Sequence, residues 1–281
     1  MVKPPPLTSK KELLLWTKRT LFSLGIKPRK KLSQAFVIEP QLIMEIMRQI
    51  QNYKPSIVLE IGAGLGTLTY HIATFCKKVI AVEIDRVLAS FIKKLTRDLG
   101  NVEVVIANIL DLDDSYFKNA IVGNIPYHIT SDIVLRISKT ECPLAIITLQ
   151  KEFAERLIAK AGEHKYGKIT IITDYLFEKK ICSIYPPTAF YPAPAVYSAI
   201  MVMKRIRGYD SRAKILEKLL ICTFTERNKL AYKVVNKCIN IDVSGELYWL
   251  KKKRVDQLTL EEFLKILHTM LRMKNQKLQE I

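Results

Sequence analysis

The stretch from Ile57 to Ala73 constrains the fold more than any other part of the sequence. Its first five residues, Ile57–Ile61, form a short β-branched run, and Thr67–Ala73 has apolar side chains at helical spacing. Three alternating glycines lie between these segments: Gly62, Gly64 and Gly66. Glycine adopts backbone conformations that other residues rarely reach, and it lets the main chain come close to a ligand. A strand, a glycine turn and a helix in this order predict the first unit of a doubly wound α/β sheet.

The type of glycine turn restricts the ligand. A second strand, Val79–Val82, ends at Glu83, and a carboxylate there can accept hydrogen bonds from both hydroxyl groups of a ribose. A dinucleotide is disfavoured because the spacing is G-x-G-x-G, with Thr67 where the dinucleotide motif requires glycine. An adenosyl ligand without a pyrophosphate fits better, so the sequence predicts S-adenosylmethionine as the cofactor.

A third strand, Val102–Ala107, ends at Asn108. The side-chain oxygen of Asn108 is expected to receive the adenine amine of that cofactor. A membrane span is an alternative for the apolar stretch Ile57–Phe75. Its three glycines and Glu60 argue against a span, so a globular sheet is the favoured interpretation.

The tetrapeptide Asn124-Ile125-Pro126-Tyr127 follows another apolar run, Ala120–Gly123, at the edge where open α/β sheets bind ligands. The Asn124 amide oxygen and the Ile125 carbonyl can each accept one proton of an exocyclic amine. Pro126 fixes the turn, and Tyr127 offers a ring face on which a base can stack. Two acceptors draw the amine lone pair out of ring conjugation, so the nitrogen can attack a methyl group without a strong base. The alternative interpretation is a strand followed by a purely structural proline turn.

In their order along the chain, these motifs resemble those of the KsgA-type small-subunit rRNA adenine N6,N6-dimethyltransferases, and the basic, compact chain resembles archaeal members. The resemblance extends from about Lys27 to Lys204 and continues more weakly beyond it. The matching segments are Lys30–Gln34, the glycine turn, Glu83–Asp85, Gly123–Tyr127, Leu149–Glu152, Tyr166-Gly167 and Phe190–Pro194.

The resemblance implies a set of site residues. The expected catalytic residues are Asn124, Ile125, Pro126, Tyr127 and Phe190. Phe190 would hold a flipped adenine against Tyr127. Cofactor contacts are expected from Gln34, Ala35, Val37, Gly62, Gly64, Gly66, Glu83, Asn108 and Asn124. The segment with Phe224, Arg227, Lys229 and Leu230 resembles the basic motif of the family's helical domain, so Arg227 and Lys229 are expected to bind RNA.

Four positions in three segments depart from the family pattern. Ala35 stands where the family usually has Asn, and Asn108 stands where it usually has Asp. The segment Pro194–Ser198 has Ala195 and Tyr197 where the family usually has Lys and Asp. Because the amine-binding tetrapeptide is intact, we expect activity, with a weaker affinity for the cofactor.

The positive charge is concentrated in two flanks of the chain. Residues 1–31 hold nine Lys or Arg against one Glu, and residues 204–281 hold eighteen against nine acidic residues. Residues 32–203 hold eighteen against seventeen. A nearly neutral core between two basic flanks suits a polyanion, so RNA contacts are expected from both flanks, including Arg29, Lys30 and Lys31. The alternative is a lysine-rich surface that serves only solubility or heat tolerance.

Cysteine and histidine usage gives no indication of a metal or a disulfide framework. The five cysteines include no C-x-x-C pair, and the four histidines are scattered. Reduced, buried thiols in a cytoplasmic protein, with no metal, are therefore expected. Met1–Pro6 lacks an apolar signal core, and Ser9–Glu12 forms a helix-starting capping box. A mitochondrial presequence is an alternative that the proline-rich start and the few arginines disfavour.

These patterns predict an α/β, doubly wound, Rossmann-like class I methyltransferase domain at residues 32–204. A basic arm and helix at 1–31 precede it, and a small all-helical RNA-binding domain at 205–281 follows it. Pro40 is expected to begin a helix with a buried apolar stripe. Ile169–Tyr175 and Ala199–Met203 are predicted to be late strands.

Two classes of function remain open on the sequence. The first is an enzyme that dimethylates N6 of two adjacent adenosines near the 3′ end of small-subunit rRNA in immature 30S particles, as a monomer without a membrane. The second is a catalytically weak RNA-binding assembly factor with a methyltransferase fold. Large-subunit rRNA adenine methylation and a mitochondrial transcription-factor relative are nearby alternatives.

Overall fold

The computed structural model describes residues 2–28, 34–239, 245 and 247–279, with side chains up to residue 273. The chain forms two compact units. The first consists of Met1–Ala154 and Lys179–Lys204, and the second of Glu155–Glu178 and Arg205–Ile281. Residues 155–178, which the sequence analysis assigns to the methyltransferase domain, therefore cluster with the C-terminal unit.

Strands and helices alternate through the first unit. The strands are β1 (Phe36–Val37), β2 (Ile57–Ile61), β3 (Lys78–Glu83), β4 (Val102–Ile106), β5 (Ala120–Asn124), β6 (Leu144–Gln150), β7 (Phe177–Tyr185), β8 (Phe190–Tyr191) and β9 (Ser198–Arg205). The helices of the chain are α1 (Lys10–Ser23), α2 (Pro40–Tyr53), α3 (Thr67–Ile72), α4 (Arg86–Leu95), α5 (Thr130–Lys139), α6 (Lys151–Leu157), α7 (Lys168–Leu176), α8 (Ser211–Thr223), α9 (Ala231–Ile239) and α10 (Leu260–Gln279).

The main sheet has the strand order β4-β3-β2-β5-β6-β9-β7. Its strands from β2 to β6 are parallel, and β9 is antiparallel to β6. The chain moves outward from β2 to β4 and then returns to β5, so the strand order reverses between β2 and β5. Ligands of open α/β sheets bind at such a switch point, outside the carboxyl ends of the strands. The predicted α/β fold class is confirmed.

The central strands are largely apolar because helices cover both faces of a parallel sheet. Every residue of β6 from Leu144 to Leu149 is buried. The helix α2 begins at Pro40, as predicted, and buries its apolar stripe of Leu42, Ile43, Ile46 and Ile50 against this core. The short strands β1 and β8 form a separate antiparallel pair, which joins Phe36 to Tyr191 and Val37 to Phe190.

The segment Ile57–Phe75 forms a strand, a turn and a helix, so the membrane-span alternative is wrong. Gly62, Gly64 and Gly66 all have positive φ angles, which explains the need for glycine in the turn. In the part of the chain that the structure describes, none of the helices combines the length and apolarity needed to cross a bilayer.

The prediction of a strand at Ile169–Tyr175 is wrong, because these residues form α7. Six of the nine residues of α7 are buried, and its run of β-branched Ile and Thr residues has the composition typical of a strand. The threonine hydroxyls bond to carbonyl oxygens rather than to a neighbouring strand: Thr173 Oγ1 donates to Ile169 O at 2.7 Å. The predicted strand at Ala199–Met203 is confirmed within β9.

The second unit is built on helices α7 to α10 and a small aromatic core. Phe224 packs between Tyr166 and Phe263, with ring centroids 6.4 Å and 6.1 Å apart, and Tyr166 donates a hydrogen bond to Leu258 O at 2.8 Å. Thr259 and Glu262 form a reciprocal capping box at the start of α10. The helical character predicted for the C-terminal region is confirmed.

The expectation that all cysteines are reduced is wrong for two of them. Cys222 in α8 and Cys238 in α9 form a disulfide across a separation of 16 residues. The sequence gives no signal for this pair, because the two cysteines meet only when α8 and α9 pack together. Cys76, Cys142 and Cys182 are free thiols, as expected.

Gly123 lies where the backbone of β5 comes very close to that of β2, and a substitution there tests this packing. Its φ angle is +154°, and a Cβ there would overlap the Ile61 carbonyl oxygen and lie 3.1 Å from Ile61 N. We expect Gly123→Ala to lower the free energy of unfolding by roughly 2–6 kcal/mol, from backbone strain together with overpacking. Gly100→Ala is the matched control, because Gly100 also has positive φ but has open space around it. Gly100→Ala should lower the free energy of unfolding by about 1–2 kcal/mol. Equal losses in denaturant unfolding would contradict this explanation.

Candidate functional site

A cavity of about 400 Å³ opens at the carboxyl ends of β2, β3, β4 and β5. Its position is the switch point of the sheet. The lining includes most of the predicted cofactor residues: Gln34, Ala35, Gly62, Gly64, Glu83, Asn108 and Asn124. A smaller cavity of about 50 Å³ adjoins these residues and is lined by Ala35, Val37, Glu60, Gly62, Gly64 and Asn124, among others.

Glu83 is held in place by the glycine turn. One carboxylate oxygen accepts the Gly64 N–H at 2.8 Å, and the other accepts the Asp85 N–H at 2.9 Å. Burial raises the pKa of Glu83, while these backbone donors favour its charged form. Each carboxylate oxygen keeps a further lone pair, so the group can also receive hydroxyl donors at the cavity wall.

Asn108 and Gly66 have local structural roles. Asn108 Oδ1 accepts the Leu110 N–H at 3.1 Å and caps a short 3₁₀ turn, which fixes its side chain at the cavity wall. Gly66 begins α3, and a Cβ there would lie 3.1 Å from Leu95 and 3.2 Å from Ile92. The absence of a side chain at Gly66 therefore serves packing against α4, rather than the cofactor contact that the sequence predicts.

Asn124 has a fixed orientation with a buried acceptor. Its Nδ2 donates to the Ala35 carbonyl at 2.9 Å, which decides which way the amide plane points. Among the described residues, no donor reaches Asn124 Oδ1, although this atom is buried. A buried acceptor without a donor is costly, and such atoms normally have a partner. Ile125 N–H donates to Thr148 O at 2.9 Å and ties the tetrapeptide to β6.

Tyr127 is half-buried, and its hydroxyl lies 2.6 Å from the Ser198 hydroxyl at the start of β9. Burial raises the pKa of Tyr127, so the phenol is neutral. This contact anchors one end of the ring at the carboxyl edge of the sheet. From the sequence, Ser198 is named only as the last residue of the segment Pro194–Ser198, without a role at the site.

Phe190 does not fit the predicted sandwich in this conformation. Its side chain is 2% exposed and belongs to the main hydrophobic core. Burial of Phe190 follows from the pairing of β8 with β1, which turns its side chain toward α2 and the core. A base can reach the face of this ring only if β8 moves.

Glu60 is a site residue that the sequence analysis overlooks. It lies at the wall of the smaller cavity and is 2% exposed, and within the described part of the chain Oε2 has no hydrogen-bond partner. Burial raises the pKa of Glu60 to about 8. A carboxylate in an otherwise apolar strand, immediately before the glycine turn, is the sequence signal that could have identified it.

The predicted RNA-binding residues differ in their surroundings. Arg29, Lys30 and Lys31 lie outside the described residues. Lys229 is exposed, whereas Arg227 is 3.8 Å from the buried carboxylate of Asp256 and donates to His164 O. Arg227 therefore makes contacts inside the second unit.

An aromatic and cationic cluster in the second unit was not predicted. The Lys251 ammonium lies 5.0 Å from the Tyr232 ring centroid and 4.9 Å from that of Tyr248, which is 57% exposed. Exposed Lys252 follows in the chain. Rings next to lysines are a common arrangement at single-stranded RNA sites. As to metals, the described ranges contain no group of three His, Cys, Asp or Glu side chains arranged to hold an ion.

The raised pKa of Glu60 predicts a pH dependence of stability. The carboxyl titrates at 4.5 ordinarily and at about 8 in the folded protein, so between these values the folded state binds one more proton than the unfolded chain. The free energy of unfolding should therefore fall as pH rises through this window, by up to about 1.4 kcal/mol per pH unit. Glu60→Gln should remove this contribution. Denaturant unfolding of both proteins from pH 5 to pH 8 measures it, and parallel curves would contradict the assignment.

The sequence matches the family described as ribosomal RNA adenine dimethylase over residues 25–275. A relative from Methanopyrus kandleri is 34% identical over 209 residues, which is 73% of this chain and 75% of the relative. A relative from Methanothermobacter thermautotrophicus is 31% identical over 259 residues, which is 89% of this chain and 93% of the relative. Both are named probable ribosomal RNA small subunit methyltransferase A.

Two solved structures have a similar fold. A dimethyladenosine transferase from Plasmodium falciparum gives a TM-score of 0.73 at 24% identity, over 84% of this chain and 98% of the other. The 23S rRNA methyltransferase ErmE gives a TM-score of 0.65 at 24% identity, over 84% and 99%. At these identities the likeness supports the fold alone.

The match to the family covers both units of the chain and includes the glycine turn and the tetrapeptide. With it, the predicted resemblance and the predicted enzyme class are confirmed. The chain belongs to the ribosomal RNA adenine dimethylase family.

Proposed function

We propose that this protein transfers methyl groups from S-adenosylmethionine to N6 of two adjacent adenosines near the 3′ end of small-subunit rRNA during ribosome biogenesis in the cytoplasm. The buried Asn124 Oδ1 is the observation that supports this best. An acceptor held at the switch point of the sheet, with its amide plane fixed by Ala35, is complementary to one N–H of an exocyclic amine.

Asn124 acts by orienting the amine and shifting its electrons. Accepting one N6 proton turns the amine toward the cavity and draws its lone pair out of the adenine ring. The lone pair would then be available to accept a methyl group, and the surplus N6 proton would leave to solvent. S-adenosylmethionine, when bound, supplies the electrophilic methyl group. Asn124 acts in this step only as a hydrogen-bond acceptor, so no strong base is required.

The cavity walls suit the separate parts of the cofactor. Glu83, held by two backbone donors, would accept the ribose hydroxyls, and Asn108 would contact the adenine. Gly62 and Gly64 leave the main chain open to close approach. Glu60, at the wall of the smaller cavity, would pair with the methionine ammonium, a group that compensates a buried carboxylate.

The target adenosine would leave its stack and lie beside Tyr127. The half-buried ring, anchored through its hydroxyl to Ser198, is held in place before the base arrives. Flipping is least costly in single-stranded RNA, where no base pair is lost. The basic flanks of the chain would hold the phosphates around the site.

A weak assembly factor is the second candidate, and one observation favours it. Ala35 has no polar side chain, and its carbonyl accepts a hydrogen bond from Asn124. Asn108 has no charge, and its side-chain oxygen already accepts the Leu110 N–H. Both changes remove polar contacts from the cavity. A protein that binds immature 30S particles tightly as a monomer but transfers no methyl group would establish this second function.

Asn124→Ala tests the chemistry. The rate of methyl transfer from labelled S-adenosylmethionine to immature 30S particles should fall by about 10²-fold or more, as when one preorganised polar group is deleted. Calorimetric affinity for the cofactor should change far less. Asn119→Ala, at the amino end of β5, is the matched control and should leave the rate unchanged. An active Asn124→Ala variant would refute the acceptor role.

Lys251 and Lys252 test the basic flank. Changing both to Gln should lower RNA affinity and reduce the slope of log affinity against log salt concentration by roughly one to two units, because two phosphate contacts are lost. The matched control is the change of Lys93 and Lys94 to Gln, since these two lysines are also adjacent and exposed but lie on α4. If both double variants change the slope equally, the effect is one of net charge alone.

A further inference from the structure

Tyr197 lies at the same edge of the sheet as the candidate active site. The register pairs Gln150, the last residue of β6, with Ser198, the first of β9, and Lys151 N–H donates to Tyr197 O at 2.9 Å. Asn124 ends β5, the neighbour of β6 on the other side. Asn124 pairs with Thr148, and Thr148 pairs with Ile200, three residues after Tyr197. Two strand spacings across the sheet and three residues along it place the Asn124 and Tyr197 backbones about 14 Å apart.

The surroundings of Tyr197 differ from those of a core aromatic residue. Its side chain is 52% exposed, and the adjacent Val196 is 41% exposed. The Lys151 ammonium lies 5.9 Å from the ring centroid. An open aromatic face with a cation beside it is the arrangement on which single-stranded bases stack while their phosphate contacts the cation.

Tyr197 is also linked to the residue that would hold the target base. Its neighbour Ser198, the first residue of β9, contacts the Tyr127 hydroxyl at 2.6 Å, so Tyr197 directly precedes the residue that anchors Tyr127. An uncharged tyrosine at this position does not repel a phosphate, and its ring offers a stacking surface.

We propose that Tyr197 and Lys151 form a binding subsite for the nucleotide next to the target adenosine. The inference rests on the proposed function and adds to it the position of the neighbouring base. That base stacks on the open face of Tyr197, and Lys151 contacts the phosphate between the two nucleotides. The subsite keeps the RNA in place while the adenosine lies at Tyr127.

A double-mutant cycle between protein and RNA tests this subsite by binding alone. The probes are short single-stranded RNAs with two adjacent adenosines, in which the nucleotide on one side or the other of the target is replaced by an abasic ribose. Fluorescence anisotropy measures their affinities. Wild type should bind the intact RNA about tenfold more tightly than one of the two abasic RNAs, because that RNA lacks the base that stacks on Tyr197.

Tyr197→Ala should bind the intact and abasic RNAs equally, because the stacking surface is gone in either case. Tyr197→Phe should keep the tenfold difference, since it retains the ring. Lys151→Gln should weaken both RNAs by the same factor and reduce the salt slope by about one. Tyr116→Ala, before the amino end of β5, is the matched control and should behave as wild type.

A wild-type protein that binds intact and abasic RNAs equally, or that binds neither, overturns the subsite. A tenfold difference that survives in Tyr197→Ala also overturns it, because the base would then stack elsewhere. Methyl transfer by wild type to immature 30S particles is measured separately. It can succeed when the subsite fails, so the failure of one proposal is distinguishable from the failure of the other.

Discussion

The close approach of β5 to β2 at Gly123 and Ile61 determines the rest of the site. Only glycine lets the two backbones lie this close, since a Cβ at Gly123 would overlap Ile61 O. The consequence is that the glycine turn after β2 and the tetrapeptide after β5 are neighbours: a Cβ on Gly62 would be 3.7 Å from Asn124 O. Methyl donor and acceptor amine can therefore share one edge without any long loop.

That proximity places uncompensated polar groups in an apolar sheet. Glu60 Oε2 and Asn124 Oδ1 are both buried without a donor in the described residues. Leaving such atoms unpaired costs about 1–3 kcal/mol each. A folded protein tolerates this cost where a ligand later supplies the donors, and both residues line a cavity at the switch point of the sheet. In the proposed function, the cationic ammonium of the cofactor and the neutral amine of the adenine would be the two donors.

The site could be predicted from the sequence wherever it depends on local structure. Gly62 follows β2, Glu83 and Asn124 end β3 and β5, and the three residues meet because parallel strands end at one edge. Phe190 and Ile169–Tyr175 could not be predicted, because burial in the whole fold decides them. The pairing of β8 with β1 turns Phe190 into the core, and in α7 tertiary packing overrides the strand propensity of the β-branched residues. Pairing of Cys222 with Cys238 likewise depends on how two helices pack.

The antiparallel strand β9 places residues at the ligand-binding edge that a parallel strand would place at the opposite edge. Because β9 runs against β6, its first residues, rather than its last, lie at the ligand-binding edge. Ser198, the first residue of β9, contacts Tyr127, while Tyr197 immediately before the strand remains exposed. One strand end thus connects the residue that would receive the target base with a surface for the base beside it. A chain with Asp at Tyr197 would keep the first connection and lose the second.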